Sequence, residues 1–206
     1  IILSLGVSLS SLGLSEGLLR FIPLYRGKKE TDKIKYLVKF SLFTSFISSL
    51  IFSSLTFIFA EKIANLFGNM DLILFIKVFS VLIPIYVITN IFLSVLKSFE
   101  KVKTYSFLVN IIQNLIKIIT ILLLIYLGLG NSSIAYSYFL GVLILCFLAY
   151  LCCRYLINGF LFSSHIKSPE KKKLSSELFS YSWPIVFSGI FVTLFYWVDS
   201  LLIGYY

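Results

Sequence analysis

The sequence predicts an all-α fold, a polytopic transmembrane helix bundle, and three observations carry that expectation. Of 206 residues, 59% are hydrophobic and only 13% charged, whereas a soluble domain is nearer a quarter charged. Six apolar runs each reach the roughly 20 residues that a spanning helix needs. Within each run apolar side chains fall all round the helix rather than along one stripe, as expected of a span. Alternating segments of about 10 residues, the mark of a membrane barrel, are absent.

The runs cover 1–25, 36–60, 72–96, 105–127, 133–157 and 180–206. The chain starts and stops inside apolar runs and shows no signal-peptide pattern, so it reads as a piece of a longer protein. The connectors fix an expected orientation. Loop 26–35 holds five basic residues, loop 97–104 three and loop 158–179 four, while the alternate loops 61–71 and 128–132 hold only Lys62. By the positive-inside rule the three basic loops are cytoplasmic and both ends of the chain lie outside. The net charge of +9 is then a matter of topology and calls for no nucleic acid partner.

Loop 158–179, with SSHIKSPEKKKLSSE and Pro169, is the longest connector. It is expected to be a basic cytoplasmic linker dividing helices of one bundle in 1–157 from the first helix of a second bundle in 180–206. His165 sits in this solvated loop and is expected to ligate nothing. Cys146, Cys152 and Cys153 share one apolar run without a CxxC or a nearby His. They read as small packing residues rather than as a disulfide framework. No HExxH, GxSxG or P-loop occurs, nor paired carboxylates at working spacing, so no catalytic residue, metal or cofactor is expected and the protein does not read as an enzyme.

The informative residues are polar groups inside the spans. A charge in hydrocarbon costs roughly 2.5–3.5 kcal/mol on insertion scales, so such residues usually face a bundle interior or a water-filled cavity. Glu16 and Arg20 are spaced i,i+4, share a helix face and are able to pair. Counted from Arg26, Arg20 lies about 9 Å deep and Glu16 about 15 Å deep. Gly13 and Gly17 on the same run form a GxxxG that permits close helix approach. In the fourth run Ser106, Asn110, Gln113, Asn114 and Lys117 fall within about 100° of arc, opposite Leu, Ile and Val. Lys117 is about 18 Å into the run, near mid-membrane. This stripe is expected to face water. Lys77 lies near the outer end of its run, where it reaches the interface by snorkelling. Pro84 is expected to bend that run, and Asp199 near the outer end of the last run is expected to be hydrated.

Two stretches resemble a known family. GLSEGLLRFIPLYRGKKETDKIK is similar to the second transmembrane helix and following basic loop of polysaccharide flippases, and ELFSYSWPIVFSGIFVTLFYWVDSLLIGYY is similar to their seventh. These belong to the multidrug, oligosaccharidyl-lipid and polysaccharide exporter superfamily. The resemblance implies that the six runs are helices two to seven of a two-bundle, alternating-access transporter of twelve or fourteen helices. It implies a lipid-linked oligosaccharide on a polyprenyl phosphate or diphosphate as substrate, O-antigen-type export across the cytoplasmic membrane, surrounding membrane lipids and a coupling cation as partners. Arg20 matches the family's helix-two Arg and so is expected to bind phosphate. Lys117 and Lys77 rest on the helical-face reading alone; Lys117 is expected to bind the phosphate with Arg20, and the amides Asn110, Gln113 and Asn114 to contact sugar hydroxyls. Glu16 is expected to orient Arg20 or to titrate. One alternative is a cation antiporter of the same superfamily, although the spans carry more bases than acids. Another is a non-transporting assembly subunit, in which Glu16 and Arg20 would be fully packed against protein.

Overall fold

A computed structural model of the protein describes residues 2–66, 68, 70, 72–128, 132–156 and 168–205. His165 and Lys167 lie outside the described residues, as does the side chain of Asp199. All regular structure among the described residues is helical. The elements are α1 (Ile2–Ser10), α2 (Leu14–Gly27), α3 (Thr31–Ile58), α4 (Ala60–Leu66), α5 (Leu72–Ser98), α6 (Val102–Ser106), a π-helical segment (Phe107–Ile112), α7 (Gln113–Tyr126), α8 (Ser132–Leu156) and α9 (Ser168–Tyr205). Five helices are long and apolar enough to cross a membrane, or six when α1 and α2 count as one bent span.

That bend is the first departure from the sequence reading. The run expected to be continuous over 1–25 breaks at 11–13, and its halves meet at 50°. Leu12 and Gly13 both take left-handed backbone conformations, with φ of 49° and 65°. For Leu12 this costs about 1–2 kcal/mol, because Cβ crowds the following carbonyl. The neighbouring helices hold the break in place. A Cβ at Gly13 would collide with the Ser182 carbonyl of α9, and one at Gly17 would meet Leu178 Cδ1 at 2.7 Å. The GxxxG is therefore the surface on which α9 rests. On the other side, α3 presents a buried hydroxyl ridge of Ser41, Ser45 and Ser49. Ser45 Oγ lies 3.4 Å from the Ser11 carbonyl in the break. Small residues at each contact let the backbones approach closely.

α5 organises the remainder. It packs on α1, α2, α3, α4, α6 and α8, whereas α9 packs on α1, α2 and α3. Ile91, Val95 and Leu96 of α5 are fully buried with Leu14, Leu18 and Ile22 of α2 and Leu37 and Val38 of α3. α5 runs unbroken through Pro84, which is buried within it. Cys153 is buried in the same core, its thiol donating to the Phe92 carbonyl at 3.3 Å. All three described cysteines are free. Among the described residues α7 touches α8 and the π-helical segment and no other span. α9 begins at Ser168, so residues 168–179, expected in a connector, are its first turns.

Gly13→Ala tests the break. A Cβ is strained at this φ and collides with the Ser182 carbonyl, so we expect a loss of about 2 kcal/mol or more. Thermal unfolding of the detergent-solubilised intact protein should show a midpoint several degrees lower, and Gly27→Ala, at a position with open space around it, should not.

Candidate functional site

Arg20 projects from α2 two turns below the break and is not covered by the chain. Its guanidinium lies over the Tyr181 ring of α9, Cζ 4.4 Å from the ring centroid. Phe21 meets the same ring edge-on at 5.9 Å, so Tyr181 is fixed from both α2 side chains. Such a cation–π contact contributes about 0.5–2 kcal/mol depending on how dry it is. The contact uses the ring face and leaves the guanidinium N–H groups free for an anion. Glu16 is likewise uncovered. No Glu16–Arg20 ion pair occurs among the described residues; the guanidinium turns to the aromatic ring of the neighbouring helix instead.

Lys117 finds a matching environment elsewhere. Its ammonium lies 3.9 Å from the centroid of Tyr138 on α8. Its stem runs along Gly141, where an added Cβ would stand 2.9 Å from Lys117 Cγ. Tyr138 in turn meets Phe79 of α5 edge-on at 5.9 Å. Gln113, one turn before Lys117, is buried. Asn110 and Asn114 are exposed, and Asn114 Nδ2 donates to the Asn110 carbonyl at 2.9 Å. The polar stripe is thus divided between a side turned to α8 and a side left open. Gln113 and Asn114 are consecutive residues of α7 and stand about 100° apart, at the two edges of the predicted arc, so an arc that wide straddles both sides. The π-helical segment 107–112 lies before both of them and does not part them.

Lys77 behaves differently from both. Its ammonium stands 3.6 Å from Glu61 Oε1 at the end of α4 and 5.8 Å from the Phe57 centroid. It belongs to an exposed ion pair at one end of the bundle. Arg20 and Lys117 are not brought together: α2 and α7 do not touch, and α5 and α8 stand between them. Sequence reasoning did not single out Tyr181, Tyr138, Gly141 or Ser182. Each owes its place to a contact with a residue distant in sequence, and no local pattern announces it.

The family model for polysaccharide biosynthesis proteins matches residues 2–206. The chain belongs to this family. No curated protein and no solved structure matches it. As a polysaccharide biosynthesis family member with five or six apolar helices, it is a multi-pass membrane protein.

In a variant of this polysaccharide biosynthesis protein freed of its native cysteines, single cysteines at Asn110, Gln113 and Asn114 read the division of the stripe. We expect a membrane-permeant maleimide to label positions 110 and 114 at least several-fold faster than 113, which is buried. Equal rates at all three would show the stripe to be undivided.

Proposed function

We propose that the protein is a flippase that moves a phosphate-linked lipid oligosaccharide from the inner to the outer leaflet of the cytoplasmic membrane by alternating access. The observation that carries this reading is the state of Arg20. It is a cation within a membrane span, held over an aromatic face, uncovered by the chain, in a member of a polysaccharide biosynthesis family. An unpaired guanidinium in a low-dielectric setting is a strong partner for a phosphate or diphosphate, because charge-assisted bidentate bonds gain most where water is scarce.

In this reading Arg20 takes the phosphate and Glu16, one turn away, tunes it or carries the proton of a coupling step. Lys117 on the α7–α8 pair forms a second station for the phosphate, and the amides of Asn110 and Asn114 beside it suit sugar hydroxyls. Gln113 positions the helix carrying them, and Lys77 serves the outer end through its pair with Glu61. The basic ends of α2, α5 and α9 face the cytoplasm, in keeping with the positive-inside rule. The exposure of Glu16 and Arg20 favours a transporter over an assembly subunit that would bury them. The excess of bases over acids in the spans favours an anionic substrate over an organic cation.

The test is surface glycan display by cells whose only copy is the variant. Arg20→Ala is expected to reduce display at least tenfold at equal protein level, Arg20→Lys less, and Lys117→Ala by an intermediate factor. Unchanged display in the Arg20→Ala, Lys117→Ala double variant would remove the phosphate-binding role.

A further inference from the structure

The charges at one end of the bundle are sorted unevenly. On the α3–α9 side six lysines, Lys33, Lys35, Lys39, Lys171, Lys172 and Lys173, are offset by four carboxylates, Glu30, Asp32, Glu170 and Glu177. Lys33 Nζ lies 2.8 Å from Glu170 Oε1 and 3.1 Å from Glu30 Oε2, and Asp32 and Glu177 stand on the same two helices. On the α2–α5–α6 side the balance differs. Arg26, Lys28 and Lys29 at the end of α2 and Lys97, Lys101 and Lys103 around the α5–α6 turn are all exposed, with Glu100 as the acid between them. None of the six makes an ion pair among the described residues.

Two features make these a single built surface rather than two loops that happen to be basic. The ends of α2 and α5 are in contact, with the Arg26 guanidinium 5.3 Å from the Phe99 centroid. Both helices also end in the same way. Lys29 and Glu100 adopt left-handed conformations, with φ of 59° and 61°. The following amides reach back five residues, Glu30 N to Tyr25 O and Lys101 N to Leu96 O, each at 3.0 Å. This is the Schellman closure, usually made with glycine at the left-handed position. Here side chains stand at both tips. The rings beneath the cations give the depth. Lys97 Nζ lies 4.3 Å from the Tyr105 centroid and Lys28 Nζ 6.0 Å from that of Tyr25. Aromatic rings with cations above them mark the headgroup level of a bilayer.

We propose that this patch, formed by Arg26, Lys28, Lys29, Lys97, Lys101 and Lys103, is a binding site for the phosphate headgroups of anionic membrane lipids. Four to eight clustered cations beside a membrane helix are enough to concentrate such lipids, and the attraction is short-ranged and screened by salt. The α3–α9 side, with its carboxylates, does not share this role. The inference is independent of the flippase reading, since it concerns the lipids around the protein and not the cargo.

The experiment uses the intact protein in phosphatidylcholine nanodiscs containing labelled phosphatidylglycerol, with retained label measured at physiological salt. The triple variant K97Q/K101Q/K103Q is expected to retain roughly tenfold less phosphatidylglycerol. K171Q/K172Q/K173Q removes the same number of charges from α9 and should retain nearly the normal amount. Because Lys97 also packs on Tyr105, K28Q/K29Q serves as a second variant and should lose label severalfold with an unchanged unfolding temperature in pure phosphatidylcholine. Raising sodium chloride to half molar should erase the differences. Equal losses from the two triple variants would overturn the proposal in favour of undirected surface charge. Displacement of the label by inorganic phosphate, beyond that by chloride at equal ionic strength, would overturn it in favour of a soluble anion.

Discussion

Backbone polar groups inside hydrocarbon have no water to turn to, so an interrupted span must be sealed by its neighbours. That constraint organises this molecule around residues 11–13. Local turns satisfy part of the break: Ser11 N bonds to Val7 O at 2.9 Å and Leu14 N to Ser11 O at 2.9 Å. Two helices close over what remains. α9 can lie against the break because Gly13 and Gly17 have no side chains to keep it away. α3 can do so because serines occupy every fourth position of its inner face. Replacing those small residues with typical apolar ones would add hydrophobic surface and yet weaken the bundle, since closeness rather than area does the sealing.

The same economy governs the charges. Near the ends of the bundle, among the described residues, two cations take carboxylates, Lys33 with Glu30 and Glu170 and Lys77 with Glu61. Inside the spans, Arg20 and Lys117 take the faces of Tyr181 and Tyr138. A buried carboxylate partner would have added a second desolvated charge, and the cost of dehydrating two ions often exceeds their attraction. A ring offers attraction with little charge of its own to dehydrate. It also leaves the cation net positive, which a carboxylate would not, and the proposed phosphate-binding role of Arg20 depends on that residual charge.

The spans were legible in the sequence because length and hydropathy are local properties, and each of the six apolar runs corresponds to a helix or to the α1–α2 pair. The break was not legible. Gly13 was noticed as half of a small-residue motif, but nothing in SLSSLGLSE requires Leu12 to adopt a left-handed conformation, and the reason it does lies in Ser182, far along the chain. The π-helical segment was hidden for a related reason. FLVNII has no breaker residue to announce it. The split between Gln113 and Asn114 has a simpler source: an arc about 100° wide is broad enough to take in both a packed and an open side of one helix. The pairing of Glu16 with Arg20 is what i,i+4 spacing alone suggests, and it yields to an aromatic ring whose approach no local rule describes. Family membership was legible from the stretches around Arg20 and Pro184, where the composition is constrained on several counts at once.

α9 extends over 38 residues, about 57 Å at 1.5 Å per residue, nearly twice the roughly 30 Å thickness of the hydrocarbon. Its first turns are tied to α3 through Glu170, and its middle rests on the interrupted helix at Ser182. Tyr181, which carries Arg20, sits one residue from the second of these fastenings. The contacts that set the height of the rod therefore also set the height of the guanidinium, so one long helix measures out where the charge stands between the water layer and the oil.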